Sequence, residues 1–247
     1  MRIIIDGVTC EAQPDEFVKT VADRSGITIP SLCHHSALPG IAACRLCVVE
    51  ATPAGGKTQT VTSCVYPVSE GLEISTASEP IKRLRRIILK LLLERAPAAE
   101  GRLQQYCEEY GVHRSSTPAN PEEKCILCGL CVKACEEMGN AAIATVKRGV
   151  DKQIQPAFEE APEDCIGCLS CAKVCPTGEI TWLETHESRT IWKKDFSLER
   201  CSVCGKPFAT AEELAWLQSK QVGENIEVGM CPGCRAREAV AHTLLDR

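Results

Sequence analysis

The sequence predicts an α+β chain assembled from several small domains rather than around one large core. Three observations carry this. The chain is 247 residues long, between one and two domains at about 150 residues each. It has 18 cysteines but only three Trp, three Tyr and four Phe, so the side chains that bury most area are scarce. All cysteines except Cys10 and Cys107 fall into four groups of four by spacing.

The bulk composition excludes several classes. Charged residues make up 25%, hydrophobic residues 44%, and the net charge is −5, which is ordinary for a globular protein. Neither the basic footprint of a nucleic-acid binder nor the composition of a disordered polyelectrolyte is present. No apolar run approaches the roughly 20 residues that span a bilayer. No signal-peptide apolar block follows Met1, so a cytoplasmic chain is expected. In a reducing compartment this many cysteines point to metal ligation rather than disulfides. Thiolate–metal bonds would then stabilise domains whose apolar cores are thin.

Residues 2–6 and 8–12 read as two strands around the turn dipeptide Asp6-Gly7. Residues 16–25 read as a helix stopped by Gly26. A loop holding Cys33, Cys44 and Cys47 follows, then strands at 48–51, 58–62 and 72–75. This order suits a β-grasp domain over residues 1–78. Its cysteines read C-x10-C-x2-C-x16-C with Cys64, a longer first gap than the plant-type ferredoxin C-x4-C-x2-C.

Residues 79–112 read as linking helices. Ile81, Leu84, Ile87, Ile88, Leu91 and Leu92 recur at helical spacing. Lys82, Arg83, Arg85, Arg86 and Lys90 fill the other surface, either a solvated basic side or a docking surface for an acidic partner. Residues 83–93 would form a strut, and 113–121 a loop into the next domain.

Residues 113–183 carry the strongest signal. Cys125, Cys128, Cys131 and Cys135 read C-x2-C-x2-C-x3-C, and Cys165, Cys168, Cys171 and Cys175 repeat it before Pro176. That run holds [4Fe–4S] clusters in bacterial ferredoxins, where the fourth cysteine of each run serves the other cluster. The expected sets are therefore Cys125, Cys128, Cys131 with Cys175, and Cys165, Cys168, Cys171 with Cys135. Between the runs, residues 142–146 and 153–158 read as a hairpin turning at Lys147-Arg148-Gly149.

Residues 184–194 read as a linker, and 195–247 as a zinc-ribbon-like module. Cys201 and Cys204 pair with Cys231 and Cys234 as two C-x2-C knuckles, suited to a structural or docking zinc held by four thiolates. The same thiolates could instead hold a further iron–sulfur cluster. Thr210-Ala211-Glu212-Glu213 opens a helix running through Leu217.

Three segments together resemble one family: Ile29-Pro30-Ser31-Leu32-Cys33-His34-His35, Ala43-Cys44-Arg45-Leu46-Cys47-Val48-Val49-Glu50, and Ser63-Cys64. The family is the N-terminal part of the large iron–sulfur subunit of NADH dehydrogenase (complex I), shared with diaphorase small subunits of NAD-linked hydrogenases and with electron-bifurcating subunits. Cys165-Ile166-Gly167-Cys168 and Cys175-Pro176-Thr177-Gly178 are similar to the family text as well. The resemblance spans residues 1–185. It implies a [2Fe–2S] cluster on Cys33, Cys44, Cys47 and Cys64. It also implies single-electron relay in a hetero-oligomeric complex with a flavin/NAD-binding subunit and a further redox subunit. The reaction would be of hydrogenase, formate dehydrogenase or bifurcating type.

One departure is plain. The family has a middle [4Fe–4S] site held by one histidine and three cysteines, whereas residues 93–102 contain neither type, so that cluster is expected to be absent. Cys107 and Cys10 are expected to be packing residues. His34 and His35 either donate hydrogen bonds to the neighbouring cluster or are surface loop residues. His113, His186 and His242 carry no assigned role. The sequence has no Gly-x-Gly and no P-loop, so nucleotide and flavin binding fall to partners, and no catalytic residue is expected. The alternative is a stand-alone multi-cluster ferredoxin or redox sensor with a zinc-ribbon interaction module.

Overall fold

The computed structural model describes residues 1–115, 117–118, 120–220 and 229–245. The expected 113–121 loop and 195–247 module thus lie partly outside the described residues. Among these, no helix is long and apolar enough to cross a membrane.

The N-terminal sheet contains β1 (Arg2–Ile5), β2 (Val8–Glu11), β3 (Val48–Thr52), β4 (Gln59–Thr62) and β5 (Glu73–Ser75) in the order β2-β1-β5-β3-β4. β1 runs parallel to β5, and the other pairings are antiparallel. Period-two alternation turns Ile3, Ile5, Val49, Ala51 and Ile74 inward. They pack with Val18, Val21 and Ala22 of α1 (Val18–Arg24). Cys10 is buried in this core, a small apolar filler as expected.

α2 (Glu79–Arg95) starts at Ser78, whose Oγ accepts from the Ile81 amide. Its inward face corrects the sequence reading. Arg85 is only 2% exposed, whereas Ile87 and Leu91 are 52% and 65% exposed. The helix is rotated toward Arg85 because that side chain satisfies carbonyls of the cysteine loop. α3 (Arg102–Glu109) packs on α2 through Leu103 and Cys107, both buried with Leu89. Cys107 is thus part of an apolar contact.

α4 (Leu130–Glu137) and α5 (Ser170–Lys173) each begin inside one of the two cysteine runs. Between them, β6 (Ala144–Val146) and β7 (Gln153–Gln155) form the expected hairpin, the second strand ending before Pro156.

The expected linker at 184–194 is not one. β8 (Trp182–Glu184), β9 (Ser188–Ile191), β10 (Lys194–Arg200) and β11 (Pro207–Thr210) make an antiparallel sheet in the order β11-β10-β9-β8. β9 and β10 join through Trp192 and Lys193, whose φ values are 53° and 60°. Such a two-residue turn normally takes Asn or Gly, so the sequence bore no hairpin signature. α6 (Ala211–Ser219) follows, capped by Thr210 Oγ1 accepting from the Glu213 amide, and α7 (Pro232–Leu245) ends the described chain.

Candidate metal centres

The first quartet sits between the sheet and α2. Cys33, Cys44, Cys47 and Cys64 are all at most 5% exposed. The Cys44 amide donates to Cys33 Sγ at 3.3 Å, and the Leu32 amide donates to Cys44 Sγ at 3.4 Å. Contact with the Cys33 thiol lowers Cys44 to about 6, and contact with Cys64 lowers Cys47 to about 7. Cys33 and Cys64 are pushed up, first by those same neighbours and then by burial. The loop approaches itself closely here: a Cβ on Gly40 would meet Cys64 O at 2.7 Å. Arg85 donates to Leu46 O at 3.2 Å and Val48 O at 2.7 Å, the carbonyls on either side of Cys47. His34 is half-buried, and burial lowers its pKa. His35 is exposed, and its Nδ1 accepts from the Ala37 amide.

The second quartet, Cys125, Cys128, Cys131 and Cys175, lines a cavity of about 290 Å³. The Leu127 amide donates to Cys125 Sγ at 3.4 Å. Burial pushes Cys128 up to about 12 and Cys131 further in the same direction. The third quartet, Cys135, Cys165, Cys168 and Cys171, lines a much smaller cavity. The Ala142 amide donates to Cys135 Sγ at 3.2 Å, and Cys168 Sγ lies 3.3 Å from Ser170 Oγ.

Each fourth cysteine therefore stands at the other run's cavity. The local reason is helical. Cys131 and Cys135 are four residues apart along α4, which advances the chain by about 6 Å. The two loops also follow one path. Leu127 and Gly129 have φ values of 54° and 79°, and the matching Gly167 and Leu169 have 69° and 62°. The glycine changes place, yet both left-handed turns persist.

The fourth quartet is tighter. The thiols of Cys201, Cys204, Cys231 and Cys234 lie within 4.8 Å of one another. Cys204 Sγ and Cys231 Sγ are 3.8 Å apart. The Cys231 amide, followed by other local donors, lowers Cys201 to about 6, and Arg237 donates to Cys234 Sγ at 3.0 Å.

These sites form a series. Cys33 and Cys44 share one apolar cluster with Cys128 and Ile126, and Ile41 from the first loop lies 3.8 Å from where a Cβ on Gly129 would stand. Trp192 lines both central cavities. Two features beyond the thiols fit anionic iron–sulfur groups. Arg85 is buried with two carbonyls and the Tyr110 hydroxyl as partners, and it forms no ion pair among the described residues. Trp192 Nε1 is a buried donor with no hydrogen-bond acceptor. Sequence reasoning misses both residues. Arg85 reads as part of the solvated side, and the only mark on Trp192 is its being one of three Trp.

Residues 1–79 match the 2Fe-2S iron-sulfur cluster binding domain, and residues 120–182 match the 4Fe-4S dicluster domain. To a subunit of the NADH-quinone oxidoreductase of Rhizobium meliloti the chain is 27% identical over 231 residues, covering 83% of this chain and 27% of that protein. It is 32% identical to the NADPH-Fe(3+) oxidoreductase subunit alpha of Geobacter sulfurreducens, over 73% of this chain and 24% of that protein. To the NADP-reducing hydrogenase subunit HndD of Solidesulfovibrio fructosivorans it is 29% identical, over 78% and 37% respectively. The chain thus spans about a quarter to a third of the length of these relatives. Among solved structures, a chain of an NAD+-reducing [NiFe]-hydrogenase matches with a TM-score of 0.61 and 28% identity, over 72% of this chain and 85% of that one. The chain thus carries a [2Fe–2S] domain followed by a [4Fe–4S] dicluster domain, and it is homologous to subunits of NADH dehydrogenases and NAD(P)-linked hydrogenases.

Proposed function

We propose that the chain is a cytoplasmic iron–sulfur relay subunit of a multi-subunit oxidoreductase. It passes single electrons between a flavin/NAD(H)-binding subunit and a further redox subunit of hydrogenase, formate dehydrogenase or bifurcating type. The observation that carries the reading is the continuity of the sites. The first quartet shares its apolar cluster with the first cysteine run, and Trp192 borders both central cavities. Cys33, Cys44, Cys47 and Cys64 would hold a [2Fe–2S] cluster. Cys125, Cys128, Cys131 and Cys175 would hold one [4Fe–4S] cluster, and Cys135, Cys165, Cys168 and Cys171 the other. When bound, such clusters supply one-electron redox chemistry with little change of geometry. The chain's own residues supply thiolates, exclude water and direct amides at the sites, while the Arg85 guanidinium holds the carbonyls on either side of Cys47. Burial raises most of the central thiols, so these cysteines are assigned to metal rather than to free thiolate chemistry.

Cys201, Cys204, Cys231 and Cys234 would hold one zinc. A tetrahedral Zn–S distance of about 2.3 Å puts sulfurs about 3.8 Å apart, which is the Cys204–Cys231 separation of 3.8 Å. In a cubane each thiolate binds a different iron, which spreads the sulfurs further.

The test is anaerobic purification of the chain from its native cells, with metal analysis and identification of co-purifying subunits. Expected are about 10 iron atoms and about one zinc per chain, together with a flavin- and NAD-binding partner. Recovery of the chain alone with full iron would overturn the subunit reading in favour of a stand-alone ferredoxin. About 14 iron atoms without zinc would overturn the zinc assignment.

A further inference from the structure

The turn between β9 and β10 lies beyond both matched domains, which end at residues 79 and 182. It nevertheless reaches the space between the two cysteine runs. Trp192 and Lys193 both hold left-handed φ values, 53° and 60°, without glycine. Strained backbone of this kind persists only where the surroundings hold it. The anchors are visible. Lys193 Nζ donates to Glu159 O at 3.1 Å, and Lys194 Nζ donates to both Glu163 O and Cys165 O at 2.7 Å. Between these anchors the indole forms part of the wall of both central cavities.

The indole's polar atom has no protein partner. Trp192 Nε1 is buried and makes no hydrogen bond, a state that buried donors rarely keep. The indole packs in one apolar cluster with Cys171, Cys135 and Cys165 of the second set, and with Cys131 of the first set. It also lines the small cavity that all four cysteines of the second set border.

We propose that Trp192 donates its Nε1–H to sulfur of the cluster on Cys135, Cys165, Cys168 and Cys171, raising that cluster's reduction potential above that of its neighbour. The inference rests on the proposed ligand sets. A donor to sulfur stabilises the more negative, reduced state more than the oxidised one. The apolar cluster that holds the indole contains three cysteines of the second set and one of the first, so one tryptophan would separate two clusters whose cysteine spacings are identical.

The test is Trp192→Phe in the full-length, iron-loaded chain, which keeps an aromatic ring and removes the donor. Iron content and an EPR-monitored redox titration are read together. Iron content should stay at about 10 atoms per chain. One [4Fe–4S] potential should fall, by about a tenfold shift of its reduction equilibrium toward the oxidised form, while the other stays. Trp182→Phe, on the exposed edge strand, should move neither. Full iron with both potentials unchanged, or with both shifted equally, overturns the role of Trp192. A wild-type chain short of one cubane's iron overturns the ligand sets instead, and the inference with them. Should Trp192→Phe shed the cluster, a chain with Trp182→Phe and Trp216→Phe and with 15N-labelled tryptophan decides the matter. Hyperfine coupling of the Trp192 nitrogen to the reduced cluster is expected, and its absence overturns the inference.

Discussion

The two cysteine runs share a spacing and a backbone path but differ in what surrounds them. The first borders a cavity of about 290 Å³, where Glu123, Glu159, Glu160 and Glu179 stand against Lys193. The second lies under the C-terminal sheet. Arg189 donates to Gly167 O at 2.7 Å, Thr210 Oγ1 to Ile166 O, and Lys194 to Cys165 O. Phe196, 2% exposed, packs over Gly167. Ligand spacing thus selects the kind of group a loop can hold. The covering decides how dry and how positive its surroundings are, and those are the levers that set a cluster's potential. The second cluster is accordingly expected to be the more easily reduced of the two.

The largest effect should come from removing the covering. Phe196→Ala deletes a buried ring at the centre of the sheet's contact, a change that usually costs about 3–5 kcal/mol. Iron released to a chelator should come first from the Cys135, Cys165, Cys168 and Cys171 site, leaving the EPR signal of the other cubane in place. Equal loss from both would mean that the sheet stabilises the whole dicluster region rather than one loop.

A smaller effect separates the loops by their glycines. At Gly129 a Cβ would find Ile41 no nearer than 3.8 Å, so Gly129→Ala carries only the left-handed penalty of about 1 kcal/mol. At Gly167 a Cβ would stand 2.9 Å from Phe196 Cδ2 and 2.9 Å from Thr210 Cγ2. Gly167→Ala should add an overpacking cost of about 1–3 kcal/mol. Thermal unfolding of the loaded chain should therefore drop further for Gly167→Ala. An equal drop would show that the sheet yields freely at that contact.

The contrast also marks where the sequence was legible. Within each central run local turns bring the first three cysteines to one cavity, a proximity that spacing makes legible, while Cys135 and Cys175 cross to the other run's cavity. The strands of the N-terminal sheet and the hairpin between the runs followed from alternation and from turn dipeptides such as Asp6-Gly7. The covering of the second run was illegible for two reasons. Its turn places Trp192 and Lys193 where Gly or Asn would have announced a hairpin. Its contacts, such as Arg189 with Gly167, join residues 22 apart, a pairing no local pattern encodes. Arg85 escaped for a related reason: a charge every few residues reads as a solvated face, yet this guanidinium serves carbonyls 39 and 37 residues earlier.

The smallest expected effect is electrostatic. Glu179 lines the first cavity, and its carboxyl lies above its ordinary range, first through burial and then through Glu123. Both causes disfavour the ionised form, which places its charge in a poorly hydrated setting near like charge. A negative charge there opposes the gain of an electron by the adjoining cluster. Solvent and the nearby Lys124 and Arg95 weaken that opposition. Glu179→Gln should therefore raise the potential of the Cys125, Cys128, Cys131 and Cys175 cluster by a few-fold shift of its reduction equilibrium, roughly half of the 59 mV that tenfold represents. The potential of the covered cluster should stay where it is, so the two waves of a redox titration should move closer together. A gap left unchanged would remove the carboxylates from the explanation and leave the asymmetry to the covering sheet and its donors.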